Sequence, residues 1–297
     1  MERPTLQQLS YLVALAEHHH FGRAAAACHV TQPALSSQLR ELERRLGVTL
    51  VERSARGARL TPAGIAAAAR ARIVLTGVDE LAEEAADAAG EVHGPFGLGV
   101  IPTIAPYLLG RLVPTIVSRF PHAELRLEEL RTAELLSGLR AGDVDLGLCA
   151  LPVPEPDLAT EALADDPFLL AVPADHALAG GQGPVAIEEL ARHRVLLLED
   201  GHCLRDQALS VCDLVGTQPT DVSATSLPTL VQMVAAGGGI TLLPASAAAI
   251  EARPGNGIAV RRIHERVHRT IGFVWRATSP RGDSYRELAR LTRPLLP

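Results

Sequence analysis

The chain has 297 residues, of which 47% are hydrophobic, 3% aromatic and 21% charged, with a net charge of −6. That length suits two domains around an aliphatic core and excludes a disordered polymer. No uncharged apolar run approaches the roughly 18 residues of a membrane helix.

The charge is unevenly placed. Residues 1–60 hold eight arginines (3, 23, 40, 44, 45, 53, 56 and 59) against five acids (2, 17, 41, 43 and 52), while the remainder carries a net −9. No lysine occurs anywhere. A small basic head on an acidic body is suited to meeting a polyanion. The opening Met1-Glu2-Arg3-Pro4 runs straight into an amphipathic pattern, so no signal peptide is expected. His18-His19-His20 is internal and is not a tag.

Leu6, Leu9, Leu12, Val13 and Ala16 fall at helical spacing, which predicts a helix over 4–18 with Pro4 in its first turn. Gly22 interrupts the pattern, and 23–28 form a short alanine-rich helix. Thr31 is a good N-cap for a third helix, Pro33 is tolerated in its first turn, and Gly47 suits its end. Leu35, Leu39, Leu42 and Leu46 form the buried stripe of that helix. Gln32, Pro33, Ser36, Ser37 and Arg40 then face outward near its N-terminus, as groove reading requires. Residues 48–51 and 58–60 make a wing around a turn at 54–57, with Arg53, Arg56 and Arg59 suited to phosphate contact. Residues 1–61 therefore read as a winged helix-turn-helix that binds double-stranded DNA.

Thr61-Pro62 is a fresh N-cap and N1 pair. Residues 62–91 predict a single helix about 45 Å long at 1.5 Å per residue. Ile65, Ala69, Val74, Val78, Leu81 and Ala85 give it an apolar seam, the pattern of a helix that pairs with a copy of itself. A dimer would let two heads read two half-sites.

The runs Phe21-Gly22-Arg23-Ala24-Ala25, Thr31-Gln32-Pro33-Ala34-Leu35-Ser36, Leu46-Gly47 and Leu60-Thr61-Pro62-Ala63-Gly64 resemble the LysR-type transcriptional regulators. The resemblance extends along the whole chain in architecture. It implies a C-terminal two-lobed, periplasmic-binding-protein-like domain over 94–297. The lobes fall at 94–166 with 271–297, and at 167–270.

His93-Gly94-Pro95 marks the start of that body. Alternating strands and helices follow: strands near 96–101, 124–129, 146–150, 168–172, 195–199, 240–243, 258–263 and 270–275. Helices fall at 103–120, 132–142, 187–191, from 202, at 227–236 and after 284. This argues for an α/β fold with a largely parallel sheet. Such sheets bind ligands beyond the carboxyl ends of their strands. Thr103 and Thr132 are each placed to cap a helix there.

Four cysteines are too few for a disulfide scaffold, so the compartment is expected to be reducing and cytoplasmic. Cys28 and Cys149 read as small buried hydrophobes. Cys203 lies at a predicted helix N-terminus between His202 and Leu204-Arg205, and dipole, imidazole and guanidinium would all favour its thiolate. Cys212 follows nine residues on. On a helix their Cα atoms would lie about 13 Å apart, whereas a disulfide needs about 4.4–6.8 Å. A bond between them would require the segment to unwind, which is the behaviour of a switch. Two unrelated thiols remain the alternative on spacing alone.

The run Gly201-His202-Cys203-Leu204-Arg205-Asp206-Gln207-Ala208 with Cys212, together with Ile101-Pro102-Thr103 and Ala224-Thr225-Ser226-Leu227, closely resembles the peroxide-sensing activators of the LysR-type family. The resemblance implies that Cys203 is the peroxidatic cysteine and Cys212 its resolving partner. It places Thr103, Thr132, His202, Arg205, Asp206 and Arg269 in or behind the peroxide site, with a salt bridge from Arg269 to Asp206 as one expected arrangement. It further implies a homodimer and homotetramer, contact with RNA polymerase, hydrogen peroxide as the signal, and no cofactor, metal or membrane. Three other classes fit these residues less well. A thiol peroxidase or cysteine hydrolase needs no basic winged head. A metal sensor using His202, Cys203 and Cys212 lacks a paired C-x-x-C signal. A LysR-type regulator answering a small metabolite would leave Cys203 dispensable.

Overall fold

A computed structural model describes residues 3–54, 57–86, 92, 94–216, 220 and 222–296. It divides into two compact units, one built on Met1–Ala89 and the other on Gly90–Leu139 with Asp143–Pro297. Each has its own apolar core.

The first unit begins with α1 (Leu6–His18), α2 (Phe21–Ala27) and α3 (Gln32–Leu46). Thr5, not Pro4, starts α1: its hydroxyl accepts from Gln8 N–H while the Gln8 side chain accepts from Thr5 N–H, a reciprocal capping box. Pro33 sits in the first turn of α3, and Gly47 ends it at φ 68°. Leu35, Leu39 and Leu42 are fully buried against Leu12 and Leu15 of α1. Burying each contributes about 1.5–3 kcal/mol. Strands β1 (Val51–Ser54) and β2 (Gly57–Leu60) pair antiparallel as the wing. Glu43 fixes the wing's base by accepting the Leu50 and Val51 N–H groups. Helix α4 (Pro62–Ala86) starts where Thr61 caps Gly64 N–H. Only glycine fits at 64, because a Cβ there would collide with the Leu50 carbonyl. Residues 87–91, the expected end of this helix, lie outside the described residues. Ile65, Ile73, Val74, Val78 and Leu81 are all exposed on α4; the Ala85 side chain lies outside the described residues.

The second unit contains a seven-stranded curled sheet. Strand β3 (Gly94–Val100) pairs parallel with β4 (Ala123–Glu129) and β5 (Leu146–Leu151), with α5 (Ala105–Arg119) and α6 (Thr132–Ala141) as crossovers. The sheet departs from the largely parallel expectation from here on. Strand β6 (Leu158–Pro173) and strand β11 (His268–Arg276) run antiparallel to each other and β11 runs antiparallel to β5. The first half of β6 pairs β11, and the second half pairs β9 (Thr241–Pro244) and β10 (Ile258–Arg262). The long strand thus joins the β11 ladder to the β9 and β10 ladders. Its first half was not expected as strand, because Ala, Asp, Glu and Thr give it low β-propensity; the ladder with β11 supplies what propensity lacks.

The segment expected as a strand over 195–199 shortens to β7 (Leu197–Leu198), paired parallel with β8 (Ser223–Ala224). Residues Ile187–Arg192 form a 3-10 turn rather than an α-helix. Helices α7 (Cys203–Leu214), α8 (Leu227–Ala235), α9 (Ala245–Glu251) and α10 (Gly282–Thr292) complete the unit, with α9 unanticipated in the sequence. Four of the few aromatics meet in one place: Phe96 against Phe120 at 5.4 Å, and Trp275 against Tyr285 at 5.7 Å between ring centroids. No helix among the described residues is long and apolar enough to cross a membrane.

Candidate functional site

Two surfaces carry chemistry. On α3, Thr31, Gln32, Pro33, Ser37 and Arg40 are exposed and Ser36 is half-buried, so the predicted face is outward. Thr31 is the N-cap residue by backbone geometry but its hydroxyl makes no capping bond. Arg40 Nη2 donates to Ser36 Oγ at 3.2 Å, which aligns two of these groups along one face. Arg59 is exposed on β2. Arg56 and the Arg53 side chain lie outside the described residues.

The second surface surrounds Cys203. Strand β7 leads through Glu199, Asp200 and Gly201 into His202, the N-cap residue of α7, and Cys203 is the first residue of that helix. Gly201 sits at φ 90°, a left-handed conformation natural to glycine, and a Cβ there would come within 3.4 Å of Arg131 Nη1. Arg131 donates to the Asp200 carbonyl at 3.3 Å and lies 3.6 Å from Glu199. Together Thr103, Arg131, Thr132, Gly201, His202 and Cys203 border a narrow, tightly closed recess.

The structure thus brings Thr103, Thr132, His202 and Cys203 together. Thr103 does not cap α5 as expected; that helix starts at Ala105, and Thr103 is buried in the preceding loop. Its hydroxyl accepts from Arg269 Nη1 at 2.8 Å and its carbonyl accepts from Nη2 at 3.0 Å. Thr132 is the first residue of α6 rather than its cap. Its buried hydroxyl lacks a partner of good hydrogen-bond geometry, yet it lies near enough to Cys203 to favour the thiolate. His202 is buried, and its Nε2 has no hydrogen-bond partner among the described residues. Burial and then the Arg131 charge hold the imidazole below its usual pKa, so at neutral pH it is an uncharged ring.

Three expectations are corrected. Arg269 does not pair with Asp206; its guanidinium is fully buried against Asp166 at 3.0 Å. Arg205 and Asp206 stay outside the recess. Arg205 bridges Asp200 and the Leu198 carbonyl, each at 2.8 Å, while Asp206 is exposed. Finally, Cys203 is not held at a low pKa. Burial pushes the thiol up. Arg269, the nearby Thr132 hydroxyl and the Leu204 N–H pull it back, and Asp206 opposes them. The helix terminus was legible in the sequence; the desolvation was not.

Cys212 lies on the same helix and is fully buried, its thiol pushed up by burial. Nine residues of α-helix separate it from Cys203, about 13 Å at 1.5 Å per residue. Both are free thiols. Cys149 is buried as expected, with its thiol pushed up to about 12 by burial, whereas Cys28 is only half-buried. Sequence reasoning missed Asp166 and Ser246, whose bonds span 80 to 103 residues, and Gln207, whose Oε1 is buried without a partner. An aspartate pair at 165–166 inside an apolar neighbourhood was the available signal.

Residues 6–65 match the bacterial regulatory helix-turn-helix protein, lysR family, and residues 89–296 match the LysR substrate binding domain. The chain is 44% identical over 289 residues to the DNA-binding transcriptional dual regulator OxyR of Escherichia coli K12, covering 97% of this chain and 94% of that protein. Full-length OxyR of Pseudomonas aeruginosa, solved as a cysteine-to-aspartate variant, is 38% identical with a TM-score of 0.81, covering 99% of this chain and 96% of that one. A hydrogen peroxide-bound cysteine variant of Corynebacterium glutamicum OxyR is 36% identical with a TM-score of 0.67, covering 99% and 92%.

Proposed function

The chain belongs to the LysR family of bacterial regulatory helix-turn-helix proteins, and from that premise we propose that it is a DNA-binding transcriptional regulator that senses hydrogen peroxide through a reversible Cys203–Cys212 disulfide and controls oxidative-stress genes. The observation that carries this reading is the recess itself: a cysteine at a helix start, bordered by Thr103, Thr132 and an uncharged His202, with a second cysteine further along the same helix.

The chemistry runs in two steps. The Cys203 thiolate attacks one peroxide oxygen; the S–O bond forms, the O–O bond breaks, and sulfur gives up two electrons. The other oxygen leaves as hydroxide and becomes water on taking a proton. Thr103, Thr132 and His202 supply polar groups around the two oxygens. The Cys212 thiol then attacks the sulfenic sulfur, the S–S bond forms and water departs. Because a helical spacing forbids the bond, α7 must unwind between the steps. Asp166 and Arg269 hold the recess from behind, and Arg205 ties Asp200 to the start of α7.

In the same proposal, residues 62–91 link the head to the body and carry the exposed seam of a homodimer, which associates further as a homotetramer. Residues 94–166 with 271–297 form one lobe and 167–270 the other. Thr31, Gln32, Pro33, Ser36, Ser37 and Arg40 read promoter half-sites while Arg53 and Arg56 meet phosphates. Refolding around 203–216 alters subunit packing and so the spacing of the heads, which changes engagement with RNA polymerase. Mass spectrometry of the thiols before and after a brief peroxide pulse tests the reading. Linkage of Cys203 to Cys212, lost in Cys203→Ser, is expected. An operator footprint that responds to peroxide in Cys203→Ser would overturn it.

A further inference from the structure

Behind the recess lies a buried ionic chain that the two chemical steps above leave without a specific task. Asp166 sits on β6, fully buried. Its Oδ1 accepts from the Ser246 N–H at 2.8 Å, and its Oδ2 accepts from Ser246 Oγ at 2.7 Å and from Arg269 Nε at 3.0 Å. Arg269 in turn donates from Nη1 to Thr103 Oγ1 and from Nη2 to the Thr103 carbonyl. The guanidinium is therefore committed on Nε, Nη1 and Nη2 to protein acceptors. These bonds fix the plane of the guanidinium, and of its five N–H donors the second one on Nη1 is left outside them.

The consequence falls on Thr103. A hydroxyl has one proton to give and two lone pairs to share. One lone pair is filled by Arg269, and among the described residues no acceptor takes the proton. Thr103 borders the recess. We propose that Asp166 is a positioning residue for peroxide cleavage: by anchoring Arg269 it fixes the Thr103 hydroxyl with its proton free for the recess, where it donates to the oxygen that leaves. This rests on the peroxide-sensing reading and gives the Asp166–Arg269 pair a defined part in it.

As Cys203 sulfur bonds to one oxygen and the O–O bond breaks, negative charge grows on the departing oxygen. A donor already oriented toward that charge stabilises the transition state more than the ground state. If Arg269 loses its anchor, the Thr103 hydroxyl is free to rotate and point its proton elsewhere.

The test uses the full-length reduced protein and two rates. Alkylation of Cys203 by iodoacetamide across pH gives its thiolate fraction; stopped-flow peroxide oxidation gives the reaction rate, which is then normalised to thiolate. In folded Asp166→Asn the normalised peroxide rate is expected to fall about tenfold, the worth of one oriented hydrogen bond. Asp166→Glu, which keeps the charge, recovers most of it. Thr103→Val shows a similar loss, and combining it with Asp166→Asn adds nothing further, because both act through one hydroxyl. An unchanged normalised rate in Asp166→Asn, or losses that multiply in the double variant, overturns the proposal. Should Asp166→Asn fail to fold, Ser246→Ala removes one of the three hydrogen bonds that Asp166 accepts. It is expected to cost about threefold, and no change there is equally fatal. A wild-type Cys203 that does not react with peroxide at all would instead refute the peroxide-sensing reading.

Discussion

The proposed switch requires α7 to open before Cys212 reaches Cys203, and one exposed residue tests whether that opening limits disulfide formation without touching the chemistry. Ser210 lies in the interior of α7, between the two cysteines, with its side chain exposed and its hydroxyl bonded back to the Asp206 carbonyl at 2.9 Å. Alanine and glycine at this position differ in helix propensity by about 1 kcal/mol, with serine between them. If the turn containing residue 210 unwinds before Cys212 reaches Cys203, that difference appears in full in the opening equilibrium. At 1.36 kcal/mol per factor of ten it is worth about fivefold. Ser210→Gly should therefore form the disulfide about twice as fast as wild type and Ser210→Ala about twice as slowly. Quenched-flow trapping, with sulfenate and disulfide scored separately by mass spectrometry, isolates this step. Sulfenate formation at Cys203 should be equal in all three proteins. Equal disulfide rates for the glycine and alanine variants would show that α7 does not open in the limiting step, and the switching argument would fail.

Other outcomes follow from the same geometry. His202 is held below its usual pKa of 6.5 by burial and Arg131, so the unfolded chain binds its proton more readily. Its contribution to stability is full above pH 6.5 and is lost as pH falls through the depressed value; denaturant melts between pH 5 and 7 should steepen on the acid side, and His202→Asn should flatten them. Native-state iodoacetamide labelling at slightly alkaline pH should reach the half-buried Cys28 and Cys203 well before the fully buried Cys149 and Cys212. Early labelling of Cys212 would contradict its packing. In the head, Arg56→Ala should weaken DNA binding across all sequences and lower the salt slope by about one. Gln32→Ala should instead alter sequence preference, and a uniform loss there would remove Gln32 from base reading.

The head was legible because its signals are local. Pro33 in a first turn, Gly47 at a helix end and the leucine stripe of α3 each act within a few residues. The body was legible only where apolar runs are dense. The first half of β6, rich in alanine and acids, carries no strand signal of its own and depends on β11 more than a hundred residues away. Thr103 shows the same limit at the site. Its sequence context reads as a helix cap, yet its hydroxyl belongs to an arginine 166 residues further along the chain. Cys203 was found from its neighbours, but its electrostatics were misjudged, since desolvation depends on what packs around a thiol and a linear sequence does not record it.

The depth of Cys212 has a consequence for timing. The half-buried Cys203 borders the recess in the closed protein, whereas Cys212 is fully buried on the inner side of α7. Oxidation is therefore recorded first as an erasable mark and only later as a covalent lock. A burst of peroxide shorter than the opening time leaves sulfenate that a cellular thiol can clear. Sustained exposure keeps refilling the mark until an opening event captures it. The helix between the two sulfurs acts as a delay line, so that the output follows how long peroxide persists as well as how much is present.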